Sequence, residues 1–461
     1  MLENPSIIPP DLTEGITYLK PKGDYTADPS KHRPITCLNT AYKIFTALIN
    51  NKIAAHLDHN AIIAEEQKGC RKNSRGCKDQ LIMDEIITGQ IREKNRNAAI
   101  SWIDYKKAFD SIPHTWLLKV LDLYKIHPRI RKALQACMAT WKTDLTIQAQ
   151  DRIIRVNNIE IKCGIFQGDS LSPVWFCMAI NALSYLLNRS GMGFVIKTPD
   201  GTEETLNHLL YIDDLKLYEK NKDQLASLMN TVLKFTTDIK MEFGLDKCAH
   251  ISIEHGKVID TETLELMLND VSIQNLDENQ YYKYLGIKQY LNINHSQIKR
   301  ELTNQYKSRL KKILNTGLKS KHLFMAINTY CVPILTYSFG LIKWSETDVK
   351  ALDIDTRVSL TKNNTHHPKS SKERLYIPRK NGGRGLVNIA SQWKTQTTKL
   401  REYFQQVKNR SNKIKNMCRA DNKYTPLQLN QEYSDIHKNN RRDQRKRTKL
   451  EKHGITRQIP K

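Results

Sequence analysis

The sequence predicts an α+β fold, and three observations predict it. Residues 98–103, AAISWI, form an apolar run of strand length that stops at Asp104. Residues 206–219, LNHLLYIDDLKLYE, read as strand, tight turn, strand, with Asp213 and Asp214 at the tip. Around these lie segments with apolar residues at helical spacing, such as Tyr42, Ile44, Phe45, Leu48, Ile49, Ile53 and Leu57.

In chain order, residues 18–35 read as a basic loop with Lys20, Lys22, Lys31 and Arg33 among Pro, Gly and Asp. Helices are expected over 40–57 and 80–93, before the apolar strand. Residues 163–187, CGIFQGDSLSPVWFCMAINALSYLL, read as a Gly-containing loop and a helix, with Ser172 as N-cap and Pro173 at the first helical position. After the hairpin, Asp223 suits the N-cap of a helix through Leu225, Leu228, Met229, Val232 and Leu233. From about 296 the pattern turns helical and basic. Residues 297–315 form an amphipathic helix with a dense Lys/Arg face, and 324–344 a more buried segment broken near Pro333. Residues 369–388 are loop-rich. Residues 437–461 have few apolar side chains and read as a disordered or loosely helical polycationic tail.

The chain has 461 residues, enough for two or three domains. Its formal net charge is +25, a field that favours a polyanion, with nucleic acid the commonest. No apolar run approaches the roughly 18 residues of a membrane span. The N-terminus lacks the basic and apolar regions of a signal peptide, so a nuclear or cytoplasmic location and no membrane partner are expected. The nine cysteines are spread singly and read as reduced thiols, without zinc-finger spacing.

Adjacent carboxylates repel, and burying even one is costly unless it is paired or metal-bound. Asp213 and Asp214 at a hairpin tip, with Asp104 at the end of a neighbouring strand, make a constellation that can hold two ions. Oxygen-only ligation points to Mg2+, with Mn2+ as substitute, rather than Zn2+. Two ions about 3.5–4 Å apart serve phosphoryl transfer. Asp-Asp by itself is more often a plain β-turn. In FQGDSLSP, Gly168 lets backbone approach a ligand closely and Gln167 offers an amide beside it. Phe109, five residues after Asp104, suits either the core or the sugar side of a nucleotide pocket.

These motifs together resemble a known family. SWIDYKKAFDSIPHTWL, GIFQGDSLSPVWF, LLYIDDLKLY, GLDKCAHI and YKYLGI occur in the order of the reverse transcriptase palm motifs. LKPKGDYTADPSKHRPITCLNTAYKIF and AEEQKGCRKNSRGCKDQL are similar to fingers motifs of non-LTR (LINE-type) retrotransposon enzymes. INTYCVPILTYSFGLIKW and KERLYIPRKNGGRGL are similar to the thumb and post-thumb region of the site-specific branch. The resemblance runs from about residue 12 to about 390.

It implies an α+β right-hand polymerase: fingers over 1–97, a palm with an antiparallel sheet and interleaved fingers elements over 98–294, a helical thumb and post-thumb over 295–400, and a basic C-terminal tail over 401–461. It implies an RNA-directed DNA polymerase of a non-LTR retrotransposon that copies RNA into cDNA with two Mg2+ ions. Asp104, Asp213 and Asp214 match the metal-binding carboxylates, and Phe109 the ring that rejects a ribose 2′-hydroxyl. Gln167 and Gly168 match residues contacting the incoming nucleotide and template. Arg33 matches the basic residue that grips the triphosphate, assisted by Lys22 or Lys20. Lys247 matches a lysine that protonates the departing pyrophosphate. Tyr284, Leu285 and Gly286 match the primer grip. The implied partners are RNA template, DNA primer or nicked target DNA, and dNTPs.

The resemblance extends to no endonuclease domain, so an endonuclease acting in trans is a further expected partner. Cys70 stands where the family usually has an aromatic. The turn is Tyr-Ile-Asp-Asp where Ala is commoner than Ile, so Ile212 adds bulk near the primer terminus. An RNA-dependent RNA polymerase shares the Asp pair, but Phe109 argues against it, and Gly-Asp-Asp would be expected there. The remaining alternative is a catalytically inactive, retroelement-derived nucleic-acid-binding protein, for which the charge would serve equally.

Overall fold

The computed structural model describes residues 2–23, 28, 31–148, 153–259, 262–267, 271–277, 280–409 and 411–431. The polycationic segment 437–461 lies outside them. Two compact units form. One holds residues up to 84, 91–195 and 205–291; the other holds 85–90, 196–204 and the described residues from 292 on.

The first unit is built on two sheets. A four-stranded sheet has the order His32–Leu38, Glu14–Pro21, Lys142–Gln148, Ile153–Glu160. The expected basic loop over 18–35 is therefore partly sheet: Lys20 lies opposite Arg33 in an antiparallel pair. Thr17, Thr36 and Thr143 bridge three of its strands through hydroxyls 2.8 Å apart, which outweighs the turn signals of the intervening residues.

The larger sheet has the order Leu264–Leu266, Val271–Asn275, Ala249–Glu254, Ala98–Ile103, Asp214–Glu219, His208–Tyr211. Its centre is antiparallel as expected, but Ala249–Glu254 and Val271–Asn275 pair in parallel. Ala98–Ile103 is buried on both faces, which is why it reads as a continuous apolar run. Helix Ser172–Arg189 packs beneath with Trp175, Phe176, Ile180 and Leu183 all buried. Ser172 is its first residue rather than its cap; Leu171 precedes it without a side-chain cap bond. Asp223 likewise lies in the first turn of Lys222–Asp238, whose cap is Asn221, accepting from Gln224 N–H at 2.9 Å. A flanking Asn displaces the Asp because its side chain reaches the third amide of the turn.

The second unit is helical. His295–Leu314, Glu346–Lys362 and Ile389–Val407 are its long helices. The basic face of the first is partly neutralised: Lys299 pairs with Asp348 at 2.7 Å and Lys307 with Asp355 at 2.8 Å. The break expected near Pro333 is a π-turn, Ile327–Cys331, followed by the helix Val332–Thr336. Residues 401–431 are not tail-like. Ile389–Val407 runs through position 401, and Asn412–Ala420 follows with Ile414, Met417 and Cys418 buried. Among the described residues, no helix is long and apolar enough to cross a membrane. None of the nine cysteines is joined in a disulfide.

Candidate active site

Strand Ala98–Ile103 ends where its apolar run ends, and Asp104 emerges at the sheet edge. Its carbonyl accepts from Gly244 N–H at 2.8 Å, which brings the short turn Leu245–Lys247 alongside. Lys247 Nζ then reaches Asp104 Oδ2 at 3.0 Å. Burial opposes the charge on Lys247, but the bond to Asp104 together with the charges of Asp104 and Asp246 and the nearby Cys248 outweighs it and holds the ammonium above its ordinary value.

The expected hairpin forms, but its tip is one residue earlier than expected, with Asp214 already in the strand. Tyr211 pairs with Asp214, leaving Ile212 and Asp213 as a two-residue turn. Ile212 has φ 59°, a conformation that costs a β-branched residue about 1–3 kcal/mol. Both carboxylates feel their crowding. Burial, then the nearby Asp104, raises Asp213. Burial, then Asp213 and Asp104, pushes Asp214 up to about 7.

Asp104 and Asp213 line a cleft of about 780 Å³, as do Lys247, Lys22, Arg33, Phe109, Gln167 and Gly168. These residues come from five separate stretches of chain, and the cleft suits a ligand of nucleotide size. Phe109 is half-buried. Its ring stacks on Phe176 with centroids 4.8 Å apart and planes 10° apart, so it is both a packed ring and a wall. Thr36 N–H donates to the Gln167 carbonyl at 2.8 Å, tying the loop to the strand that carries Arg33. Gly168 is required there: its φ is 141°, and a Cβ would lie 2.3 Å from the Thr36 carbonyl oxygen.

Asp214, Lys20, Tyr284, Leu285 and Gly286 are not on that lining. Tyr284 is 2 % exposed, so its side chain belongs to the core rather than to a surface that meets a primer. Leu285 and Gly286, at φ 45° and 83°, form the hairpin tip between Tyr282–Tyr284 and Ile287–Gln289.

The cleft also includes Asp110, His32, Tyr105 and Asp169, which the sequence reading did not select. Gln167 Nε2 donates to Asp110 Oδ1 at 3.3 Å, and burial raises the Asp110 carboxyl. Its signal was present: an acid directly after the ring in AFD. Asp169 accepts from Thr46 Oγ1 at 2.5 Å and from Ser170 N–H at 2.7 Å, a loop-fixing role without its own spacing signature.

The donor chemistry of Asp104, Asp213 and Asp214 is of the kind a hard divalent ion takes. It is all carboxylate, and its mutual repulsion is what a cation relieves. Among the described residues, no three His, Cys, Asp or Glu side chains are already gathered at ligating spacing. Lys247 on Asp104 supplies the counter-charge instead.

The reverse transcriptase (RNA-dependent DNA polymerase) family matches over residues 20–289. The chain is 25% identical over 387 residues to the retrovirus-related Pol polyprotein from type-1 retrotransposable element R2 of Popillia japonica, covering 83% of this chain and 52% of that protein. It is 24% identical over 342 residues to the corresponding polyprotein of Nasonia vitripennis, covering 73% of this chain and 31% of that one. The chain thus spans about half or less of the length of these curated relatives. A solved structure of apo telomerase from Candida tropicalis is similar with a TM-score of 0.39 and 11% identity, over 88% of this chain and 69% of that chain.

Proposed function

Since this chain belongs to the reverse transcriptase (RNA-dependent DNA polymerase) family, we propose that it carries out RNA-templated DNA synthesis, extending a DNA primer or nicked target strand with dNTPs on an RNA template. The observation that carries the proposal is the single cleft that joins Asp104, Asp213 and Lys247 to Phe109, Gln167, Arg33 and Lys22.

In this reading Asp104, Asp213 and Asp214 hold Mg2+, with Mn2+ as substitute. Bound there, two divalent ions activate the primer 3′-oxygen and stabilise the leaving pyrophosphate. The protein's part is positioning and charge. Arg33 and Lys22 hold the triphosphate. Phe109, stiffened by Phe176, closes the sugar side against a 2′-hydroxyl. Gln167, itself held by Asp110, lies against the base and sugar. Lys247, held beside the cleft by Asp104, would donate its proton to the departing pyrophosphate.

By the same reading, residues 1–97 act as fingers, 98–294 as palm with fingers elements, and 295–400 as thumb and post-thumb. Leu285 and Gly286 meet the primer through backbone at the hairpin tip, with Tyr284 anchoring the hairpin from below. An endonuclease acting in trans supplies the nick.

The test is primer extension on an RNA template with dNTPs and Mg2+, wild type beside Asp213→Asn, with RNA binding measured for both. Extension by the wild type alone, with equal RNA binding, supports the proposal. Equal extension by D213N overturns the role of the Asp pair. No extension by either, with salt-dependent RNA binding intact, favours an inactive nucleic-acid-binding protein.

A further inference from the structure

The turn that carries Asp213 adopts a conformation its own residues disfavour. Ile212 at φ 59° is β-branched, and such a residue stays there only where its surroundings over-determine it. The surroundings are the segment 66–69. Gln67 is fully buried. Its Oε1 accepts from Ile212 N–H at 2.9 Å and from Gly69 N–H at 2.8 Å. Its Nε2 donates to the Ile212 carbonyl at 3.2 Å. One amide therefore grips both backbone polar groups of the strained residue.

The grip continues along the strand. Lys68 N–H donates to the Leu210 carbonyl at 3.0 Å, and Leu210 N–H donates to the Glu66 carbonyl at 3.2 Å. Gln80 Nε2 donates to both of those acceptor residues, Glu66 and Leu210, at 2.6 Å each. Gly69 completes the mould: a Cβ there would lie 2.5 Å from Ile212 Cγ1 and 2.8 Å from Ile212 N. The segment adds no carboxylate or cation to the cleft. Gln67 and Gly69 of this segment are fitted to that one turn.

Resting on the polymerase reading above, we propose that Gln67 is a positioning residue for nucleotide addition. Its amide holds Ile212 at positive φ and thereby fixes the direction in which Asp213 and Asp214 leave the hairpin. Methionine in its place keeps the volume and loses all three hydrogen bonds. Ile212 is then free to relax to negative φ, which rotates the peptide that leads into Asp213. A displacement of about 1 Å at reacting groups costs on the order of 10²-fold in rate.

The experiment compares wild type, Gln67→Met, Ile212→Gly and the double variant in single-nucleotide addition on primed RNA, with hydrogen exchange of the peptide spanning 207–216 on the same proteins. The expected result is a kcat loss of about 10–10²-fold in Q67M with KM for dNTP nearly unchanged. Recovery of most of that loss is expected in the I212G background, because glycine takes positive φ without side-chain cost. Exchange in 207–216 rises at least tenfold in Q67M. A wild-type kcat in Q67M overturns the proposal, and so does equal loss with and without I212G, which marks Gln67 as a general structural residue. Where the wild type itself adds no nucleotide, the polymerase reading fails, and the exchange data still decide on Gln67: unchanged protection of 207–216 in Q67M sinks the clamp.

Discussion

Lys216→Met removes a cation from the interior, and its cost is calculable from what surrounds it. Lys216 lies two residues beyond Asp214 on the same strand, with its side chain 1 % exposed and that of Asp84 3 % exposed. Nζ stands 2.5 Å from Asp84 Oδ1 and 3.0 Å from Gln289 Oε1. Gln289 Nε2 and the Tyr218 hydroxyl each donate to Asp84 at 2.7 Å. The rings of Trp102, Tyr284 and Tyr218 lie 4.7, 5.2 and 5.5 Å from the ammonium. At an effective dielectric constant of about 20 the ion pair is worth roughly 6–7 kcal/mol of gross attraction. Desolvation of both ions cancels much of that. Removing the ammonium takes away the charge that offsets the buried Asp84 carboxylate, which costs about 3–5 kcal/mol. K216M is therefore expected to lose about 3–5 kcal/mol in urea unfolding followed by tryptophan fluorescence, and Asp84→Asn a similar amount. The double variant buries no charge and should regain at least half of the summed loss. Strict additivity of the two single losses, or a loss under about 1 kcal/mol in K216M, would refute the reasoning.

Two further outcomes are expected. Phe109→Val opens the wall that Phe109 builds on Phe176; the ratio of kcat/KM for dNTP over rNTP should fall at least about tenfold, or 1.4 kcal/mol, and an unchanged ratio places the sugar gate elsewhere. Glu219 is fully buried, and burial raises its carboxyl from 4.5 to about 7. The folded protein then binds this proton more tightly than the unfolded chain, so stability falls as pH rises from about 4.5 through 7, by about 3 kcal/mol. Glu219→Gln should flatten that part of the urea-measured profile between pH 5 and pH 8, and a profile of unchanged slope would remove Glu219 as its cause.

What the sequence disclosed, and what it hid, follows from range of interaction. Asp104 was legible because an apolar run ends there, and the Asp213–Asp214 tip because strand and turn signals sit within fourteen consecutive residues. Both are local. The helix caps were misplaced by a residue or two at Ser172 and Asp223, since neighbouring polar residues compete for the same amides. Tyr284 was matched to the primer grip by resemblance, and YKYLGI does not say which of its side chains is covered; Tyr284 is buried. The reason lies in partners far away in sequence. Lys216 alternates with Leu215 and Leu217, so period-two reading sends it to solvent. It is buried because Asp84, 132 residues earlier, and Gln289, 73 residues later, meet it there. Gln67 is the same case: its amide matches Ile212 across 145 residues, and no local pattern announces it. The chemistry of the site is written in short motifs, whereas its rigidity is written in single polar residues that reach across the fold. Sequence motifs therefore nominate the groups that touch substrate, and the buried polar contacts nominate the groups that hold them still. The two sets are separable by experiment: D213N removes a group at the reaction, whereas Q67M removes no cleft side chain and changes how Asp213 is held.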